Sequence, residues 1–337
     1  MFAMNVEIFP YRLQYHSPFR IAHTERSHTV NAYLLLSHRG FHGWGEAAFP
    51  PYMSETLDSF INFFKQLRLP EDPFEIEFDD YISNLLAAFP DRRAAVAALD
   101  IAWHNLQKAA SGKSIRKKYG IPEIPKDTSV TIGISSNEEM QEKYAQYPEA
   151  AFFKLKINEA EAKRIIDAHR KLSSKPFAVD ANQGFSSVDR ALKWADKLFE
   201  YGCYYFEQPF PKEDLDSHRR LKERSKVPII ADESFQRLPD MPGIAKIFHG
   251  VNVKLMKSGG IAEARRALIQ AKENGLMTMI GCMSESTIAV EAAWSLAPLA
   301  DWADLDGPLL IANDLFNPAL NLTREEIIRK LKNSASE

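Results

Sequence analysis

The sequence predicts a β/α barrel, because short apolar runs alternate with helix-like segments over most of the chain. Eight strand-like runs occur from about residue 127 onward, and eight is the number of strands in such a barrel. An open, doubly wound sheet shares this alternation but gathers its site at one crevice. Here charged residues stand at the ends of at least six of the runs. That spread favours the barrel, whose catalytic groups project from the C-terminal ends of many strands.

The eight runs are rich in Val, Ile, Phe and Tyr, which favour buried strands. They span residues 128–133, 152–157, 177–181, 204–208, 228–232, 250–255, 276–281 and 301–306. The segments between them have helical spacing: between residues 187 and 201 apolar residues recur on one face, and Gly202 follows as a stop signal. The alternation therefore indicates parallel strands joined by helices.

The first hundred or so residues have a different pattern and predict an α+β module. VEIFPYRLQY, TVNAYLLLSH and FHGWGEAAF indicate antiparallel strands, and an Ala-rich helix over residues 91–112 follows, with Asp91 as its expected cap. The C-terminal tail carries a further helical pattern that we expect to pack back on this module. We therefore assign residues 1–120 and 312–337 to one domain and residues 121–311 to the barrel.

Composition narrows the possible partners. The 337 residues include 42 basic and 45 acidic side chains, and a net charge of -3 argues against a nucleic-acid partner. The N-terminal segment lacks the pattern of a secretory signal, and the chain has no uninterrupted apolar run of membrane-spanning length. Two cysteines are expected to be buried free thiols. We therefore expect a cytoplasmic protein, acting on neither nucleic acid nor membrane.

Three carboxylates are candidate metal ligands. Asp180, Glu207 and Asp232 lie near the ends of three successive runs, 27 and 25 residues apart. A strand–helix unit of a barrel has about that length, so the three side chains should converge at one rim. Oxygen ligands without His or Cys suit Mg²⁺, or Mn²⁺, rather than zinc. Either aspartate taken alone could instead cap a helix.

Three lysines are candidate acid/base groups. Lys154 and Lys156 share one face of a strand because side chains alternate, although an edge strand with solvated lysines has the same spacing. Their mutual repulsion and burial should lower their pKa toward the range of a base near neutral pH. Lys254 should lie across the barrel mouth from Lys156. Two opposed amines can remove a proton from one face of an α-carbon and return it to the other, while a divalent cation stabilises the negative charge.

The ordered motifs K-x-K, VDAN, FEQP, ADES, NVKLMKSGG and D-x-D resemble those of the enolase superfamily, in its muconate-lactonising branch, and most closely the dipeptide epimerases. This resemblance implies a capping domain, completed by the C-terminal segment, and a TIM-like (β/α)7β barrel. It implies that Mg²⁺ binds to Asp180, Glu207 and Asp232. It also implies that Lys156 and Lys254 are the acid/base pair and that Lys154 assists Lys156.

Asp304 and Asp306 distinguish between subgroups of this family. By alternation both carboxylates point the same way from the last strand, where they can hold an ammonium group between them. The resemblance implies that they bind the α-ammonium of a dipeptide and that Ser284, in GCMSES, is near the substrate. Cycloisomerases and o-succinylbenzoate synthases, whose substrates lack that ammonium, are the alternative. A helix cap remains a credible role for one of the two aspartates.

The resemblance also implies that mobile loops of the capping domain, about residues 17–29 and 43–54, cover the second residue of the dipeptide. Thr24 stands where an arginine would be expected in an enzyme for Ala-Glu, although Arg20 and Arg26 are near. We therefore favour a small uncharged dipeptide such as Ala-Ala, with Ala-Glu as the rival, and take Thr24 and Arg26 as substrate-binding candidates.

The expected function is Mg²⁺-dependent epimerisation of a small dipeptide at the α-carbon of its C-terminal residue, by a homo-oligomer. Two alternatives lie outside the family's chemistry. A Schiff-base aldolase would use Lys154 or Lys254 as a nucleophile. A protein that only binds a carboxylate ligand through its metal would need neither lysine for function.

Overall fold

The computed structural model describes residues 4–334, so the ends of the predicted first domain, residues 1–3 and 335–337, lie outside the described residues. Two sheets organise the chain. The first is antiparallel and consists of β1 (Asn5–Arg20), β2 (Glu25–His38) and β3 (Phe41–Ala47). The second is parallel and eight-stranded. The predicted fold, with an N-terminal antiparallel sheet followed by a parallel barrel sheet, is thereby confirmed.

All eight predicted barrel strands are present. They are β4 (Ser129–Ile132), β5 (Phe152–Lys156), β6 (Phe177–Asp180), β7 (Phe206–Glu207), β8 (Ile229–Ala231), β9 (Gly250–Lys254), β10 (Met277–Gly281) and β11 (Trp302–Asp304). Each strand pairs with the next in sequence order. A parallel bridge between Thr128 and Ala303 joins the last strand to the first, and the Thr128 hydroxyl accepts the N–H of Leu305 at 2.8 Å. The sheet is thus a nearly closed barrel and not an open doubly wound sheet.

Helices cover both units. Those before the barrel are α1 (Leu57–Gln66), α2 (Phe78–Ala88), α3 (Arg93–Ser111) and α4 (Ile115–Tyr119). Those after successive barrel strands are α5 (Asn137–Gln146), α6 (Ala162–Leu172), α7 (Val188–Glu200), α8 (Leu215–Arg224), α9 (Met241–Ile247), α10 (Leu255–Ser258), α11 (Ile261–Glu273), α12 (Thr287–Trp294), α13 (Gly307–Leu310) and α14 (Arg324–Ser334). Short 3₁₀ helices span Pro73–Glu75, Leu238–Asp240, Ala297–Leu299 and Pro318–Leu320.

A helix follows each of the first seven barrel strands before the next strand begins, which is the predicted (β/α)7β order. Across residues 4–334, none of the helices combines the length and the apolar character that a membrane crossing requires.

Helix α3 packs very closely on the antiparallel sheet. A Cβ atom on Gly43 would lie 2.0 Å from the carbonyl oxygen of Ala102, and one on Gly45 would lie 2.0 Å from that of Ala98. Such an approach needs glycine in the strand and small residues in the helix. The glycine pair of β3 and the alanine-rich sequence of α3 therefore form one packing contact.

The N-terminus of α3 is capped differently from our prediction. Asp91 is not the cap, because the N-cap position is Arg92, whose side chain forms no capping bond within residues 4–334. The buried Glu55 carboxylate instead accepts the N–H groups of Ala94 and Ala95, at 2.6 and 3.1 Å. A carboxylate from a distant loop thus accepts hydrogen bonds from backbone N–H groups that have no partner within the helix, at the positive end of the helix dipole.

The C-terminal segment packs on the antiparallel sheet. A separate apolar cluster joins the two, and its buried members are Phe9, Tyr11, Leu13, Tyr33, Leu35, Ile311, Leu315, Ile327 and Leu331. This packing supports our proposed division, in which residues up to about 120 and beyond about 311 form a capping domain.

A buried carboxylate joins the capping domain to the barrel. Asp100 of α3 accepts the N–H groups of Ile261 and Ala262, the latter at 3.2 Å, and so caps helix α11. Gly260 makes this approach possible, because a Cβ atom there would lie 2.3 Å from Asp100 Oδ2. The two domains are therefore held in one orientation by a hydrogen-bonded helix cap.

A second buried carboxylate, Glu46 of β3, anchors the loop that leads into α12. It accepts hydrogen bonds from the backbone N–H and the hydroxyl of Ser286, the latter at 2.6 Å, and from Asn31 Nδ2 at 2.7 Å. Asn31 also donates to the carbonyl of Ser284 at 2.9 Å. Burial raises the pKa of Glu46 to about 7 although these hydrogen bonds oppose the shift.

The raised pKa of Glu46 predicts a loss of stability as pH rises. The folded chain holds this proton more tightly than the unfolded chain, whose glutamate has an ordinary pKa near 4.5. Stability from this group should therefore fall between about pH 4.5 and 7. We expect the melting temperature of Glu46→Gln to decline less than that of the wild type between pH 5 and 7.5, in thermal denaturation. The exposed Glu200→Gln variant is the control, and equal pH slopes for Glu46→Gln and wild type would contradict the prediction.

Candidate active site

The predicted acid/base and metal-ligand residues gather at the C-terminal rim of the barrel. Lys156, Asp180 and Glu207 lie side by side in the register of β5, β6 and β7. Lys254 and Asp304 lie in the register of β9 and β11, on either side of Gly281. Because parallel strands end at the same edge of the barrel, their last side chains surround one opening.

Lys156 and Lys254 approach that opening from opposite sides. Their strands, β5 and β9, are four places apart in a ring of eight. Both side chains line one cavity of about 290 Å³, together with Asp232, Asp304 and Asp306. A small ligand in this cavity is therefore within reach of two ammonium groups on opposite sides.

Asp180 is held by lysines and by the backbone. Its Oδ2 lies 2.6 Å from Lys156 Nζ and 3.1 Å from Lys154 Nζ, and its Oδ1 accepts the N–H of Asn182 at 2.8 Å. Burial favours the neutral acid, but the two ammonium charges lower the pKa of Asp180 to about 2. This carboxylate is ionised throughout the neutral range.

Asp232, just after β8, is held from three sides. Its Oδ2 accepts Lys254 Nζ at 2.8 Å and its Oδ1 accepts Lys257 Nζ at 2.6 Å. Its backbone N–H donates to the side-chain oxygen of Gln208 at 3.0 Å. Burial opposes ionisation, yet the two ammonium groups hold the pKa of Asp232 well below its usual range.

In the described part of the chain, Glu207 has one ammonium neighbour, whereas Asp180 and Asp232 each have two. Its Oε1 accepts Asn252 Nδ2 at 2.8 Å. Its Oε2 lies 2.6 Å from Lys154 Nζ, but it forms no hydrogen bond of acceptable geometry with any described residue. Burial and the charge of Asp180 raise the pKa of Glu207 to about 7. Oε2 of Glu207 therefore keeps an unused acceptor position, which a bound cation could fill.

The carboxylates at the rim provide the oxygen ligands that a hard divalent cation prefers. Within residues 4–334, no three His, Cys, Asp or Glu side chains are arranged to hold a metal ion as they stand. Instead, lysine ammonium groups contact the carboxylates of the rim. Carboxyl groups outnumber ammonium groups there by six to four: Asp180, Glu207, Asp232, Glu233, Asp304 and Asp306 against Lys154, Lys156, Lys254 and Lys257. An all-oxygen donor set in which carboxyl groups outnumber ammonium groups suits Mg²⁺ or Mn²⁺, and Asp180, Glu207 and Asp232 could hold it.

Lys154 is almost fully buried, with 1% of its side chain exposed. Its ammonium lies within 3.1 Å of three carboxylates, those of Asp180, Glu207 and Asp304. Burial opposes its charge, but these carboxylates raise the pKa of Lys154 well above its ordinary value. The predicted lowering of the pKa by Lys156 was therefore wrong, because surrounding carboxylates outweigh one like charge. The alternative of a solvated edge-strand lysine is excluded by the same burial.

Asp304 and Asp306 both face the cavity, as the alternation predicted. Asp304 is bonded to Lys154 Nζ and to the hydroxyl of Ser129, both at 2.6 Å. Asp306 accepts the backbone N–H of Thr131 at 2.6 Å, and burial beside Asp304 raises its pKa. Asp306 occupies the N-cap position of α13 but forms no side-chain cap bond within the described chain. Helix capping therefore does not account for either carboxylate.

The segment predicted as a mobile loop at residues 17–29 is the end of the β1–β2 hairpin. Its turn is closed by a hydrogen bond from the N–H of Ile21 to the carbonyl of Thr24, at 2.9 Å. His23 Nε2 lies 3.2 Å from the carbonyl of Gln183, three residues after Asp180 of β6. Strand pairing and this contact place the hairpin over the cavity.

The three predicted substrate-binding residues Thr24, Arg26 and Ser284 all line the cavity. Phe19 and Ile21 of the hairpin line it as well. From the second predicted loop, residues 43–54, the first part forms β3 and the remainder brings Tyr52 into the cavity wall. The lining thus combines apolar side chains with a single guanidinium among the described residues.

Three residues that hold the site together were missed in the sequence. Asn252 orients Glu207 and is accommodated by Gly281, where a Cβ atom would lie 2.5 Å from Asn252 Oδ1. Gln208 and Lys257 orient Asp232. The alternation along β9 places Asn252 on the same side as Lys254 and could have identified it. Lys257 lies in the short helix α10 with its ammonium buried.

The chain is similar to several known proteins. The Enolase C-terminal domain-like family matches residues 137–320. The chain is 38% identical to the L-Ala-D/L-Glu epimerase of Bacteroides thetaiotaomicron, over 93% of this chain and 82% of that protein. It is 31% identical to the L-Ala-D/L-amino acid epimerase of Flavobacterium johnsoniae, over 93% of each.

A solved structure is similar over nearly the whole chain. The dipeptide epimerase from Methylococcus capsulatus, complexed with Mg and the dipeptide L-Arg-D-Lys, matches with a TM-score of 0.82 at 28% identity and covers 93% of both chains. The family match spans more than half of the chain and covers seven of the eight barrel strands. The chain therefore belongs to the enolase superfamily, as its motifs predicted, and its curated relatives include dipeptide epimerases.

Proposed function

We propose that this protein is a Mg²⁺-dependent dipeptide epimerase that inverts the α-carbon of the C-terminal residue by a 1,1-proton transfer. The observation that carries this proposal is the approach of two ammonium groups to one cavity from opposite strands. Lys156 on β5 and Lys254 on β9 both line that cavity. An α-carbon between them can lose a proton to one amine and gain a proton from the other on its opposite face.

Other groups of the rim would bind and orient the dipeptide. Asp304 and Asp306 would accept the α-ammonium of its first residue. Lys154 would supply a fixed positive charge beneath the reacting carbon and assist Lys156. The cation would be held by Asp180, Glu207 and Asp232. When bound, Mg²⁺ supplies positive charge that stabilises the negative charge developing on the substrate carboxylate, and Mn²⁺ has similar ligand preferences.

The named relatives support this assignment. The 38% identical protein from Bacteroides thetaiotaomicron is an L-Ala-D/L-Glu epimerase, and the Methylococcus capsulatus structure holds Mg and a dipeptide. The nearest alternative is a cycloisomerase or an o-succinylbenzoate synthase-like lyase with the same lysine pair. Their substrates have no ammonium group, so the buried Asp304–Asp306 pair favours the epimerase.

A Schiff-base aldolase has less support. Its nucleophile would be a neutral amine. Burial opposes the charge of Lys254, but the carboxylate of Asp232 raises the pKa of Lys254 well above its ordinary value. Lys154 is charged for the same kind of reason. A Schiff-base aldolase also needs only one reactive lysine, so two lysines that line one cavity from opposite strands favour the epimerase.

The side chain of the second residue would lie under the hairpin. The sequence favoured Ala-Ala because Thr24 replaces an expected arginine. The lining of the cavity by Arg26 changes that preference, since its guanidinium can pair with a distal carboxylate. We therefore propose L-Ala-Glu as the better substrate, with Ala-Ala as the rival.

We propose a cytoplasmic location for this protein. The two cysteines, Cys203 and Cys282, are free thiols, which fits a reducing compartment such as the cytoplasm. A homo-oligomer is expected, and size-exclusion chromatography with light scattering measures the number of subunits.

The Lys254→Ala variant tests the function. Removing one of two acid/base groups should lower the rate of epimerisation by about 100- to 10,000-fold. Binding of Mn²⁺ should persist, because a lysine is not a ligand for a hard cation. The measurements are the interconversion of L-Ala-L-Glu and L-Ala-D-Glu and a Mn²⁺ titration. The exposed Lys246→Ala variant is the control and should retain full activity.

The wild-type reaction in D₂O separates the proposal from its enzyme alternatives. We expect deuterium at the α-carbon with no loss of water and no ring closure. A wild type that dehydrates or cyclises its substrate, or a fully active Lys254→Ala variant, would refute the epimerase assignment.

The Arg26→Gln variant tests the substrate. Loss of a charged partner for the distal carboxylate should raise KM for L-Ala-L-Glu roughly 10- to 100-fold. The KM for L-Ala-L-Ala should change little, because alanine has no distal carboxylate. Arg20→Gln, an exposed position of the same hairpin that is not among the described cavity-lining residues, is the matched control. An equal effect of Arg26→Gln on both dipeptides would count against Ala-Glu.

A further inference from the structure

Lys257 is a buried lysine whose three N–H donors are all engaged. Only 1% of its side chain is exposed. Its ammonium donates to Asp232 Oδ1 at 2.6 Å, to the backbone carbonyl of Asp232 at 2.7 Å and to that of Asn252 at 2.9 Å. An ammonium group has three donors, so these bonds satisfy it completely.

This arrangement excludes a direct role in proton transfer. Lys257 is not among the described residues that line the cavity, in contrast to Lys156 and Lys254. Its ammonium faces the ends of β8 and β9 and lies over the ring of Phe235. Any effect of Lys257 on the reaction must therefore pass through the groups that it bonds, which are Asp232 and the backbone of Asn252.

The bonds of Lys257 fix the direction of the Asp232 carboxylate. Lys257 holds both the backbone carbonyl and Oδ1 of Asp232, while Gln208 holds its backbone N–H. Rotation of the carboxylate would break the bond to Oδ1. Oδ2 therefore remains directed toward Lys254, which lines the cavity.

The local backbone conformation places Lys257 at this position. It lies in the four-residue helix α10, which ends at Gly259 with φ of +95°, and Gly260 follows with φ of +122°. A Cβ atom on Gly259 would lie 2.4 Å from the Leu86 side chain, so glycine is required there. The turn after β9 thus returns Lys257 beneath the end of β8.

We propose that Lys257 is a positioning residue, which holds Asp232 Oδ1 so that Oδ2 is presented to a divalent cation in the cavity. The proposal rests on the proposed function, in which Asp232 is a ligand of that cation. The expected effect of removing Lys257 is the opposite of what electrostatics alone predicts. A positive charge beside a cation site weakens cation binding, so its removal alone would strengthen binding.

The test compares Mn²⁺ affinity, measured by electron paramagnetic resonance without substrate, in the wild type and in Lys257→Met. Loss of orientation should weaken Mn²⁺ binding about 10-fold or more, as for other residues that orient metal ligands. Lys257→Arg keeps the charge and several donors and should restore most of the affinity. Lys222→Met is the matched control, because Lys222 also donates to a backbone carbonyl, that of Ala245, but away from the site.

Activity gives a second readout. At saturating Mn²⁺ the kcat of Lys257→Met should recover toward the wild-type value, whereas a merely structural lesion would leave it low. If Lys257→Met does not fold, Lys257→Gln serves in the same comparison, because its shorter side chain lacks the charge and reaches fewer acceptors.

Equal or tighter Mn²⁺ binding by the uncharged variant would overturn the positioning role, as would a wild type that binds no Mn²⁺. Weakened Mn²⁺ binding together with a wild type that epimerises no dipeptide would support the positioning role and refute the proposed function.

Discussion

The structure depends on mutual compensation between buried carboxylates and buried ammonium groups at the end of the barrel. Each of these groups would be very costly to bury alone. Lys154 lies among three carboxylates, and Asp232 lies between Lys254 and Lys257. Because Lys154 and Asp232 are each held by several neighbours, neither can move independently. The side chains are thereby kept in place before any substrate enters, which lowers the cost of orienting them during reaction.

The capping domain matters because it is fixed to the barrel by buried polar contacts. Asp100 caps a barrel helix, and Glu46 holds the loop that carries Ser284 into the cavity. The end of the β1–β2 hairpin lies over the rim, where His23 contacts the carbonyl of Gln183, so residues of the capping domain line the cavity together with the charged groups of the barrel. The part of the molecule proposed to select the substrate can therefore vary in sequence without disturbing the groups proposed for proton transfer.

The sequence predicted the barrel well because its signals are local. Each strand is a short apolar run, and the charged residue at its end follows from alternation, as for Lys154 and Lys156. What it could not predict arises from contacts between distant residues. Asp304 approaches Lys154 from the far end of the chain, and so the raised pKa of Lys154 was missed. Glu55 caps α3 from a separate loop, and Asn252 and Lys257 orient carboxylates on neighbouring strands. The hairpin was mistaken for a loop because its polar residues lack clear alternation.

The central claim is that two amines serve opposite faces of one carbon. It is tested most directly by measuring exchange of the α-hydrogen in D₂O for Lys156→Ala and Lys254→Ala, with L-Ala-L-Glu and L-Ala-D-Glu. Each variant keeps one base, so each should exchange the hydrogen of only one diastereomer, and the two variants should differ in which one. Exchange of the same diastereomer by both variants, or of both diastereomers by either, would contradict the account.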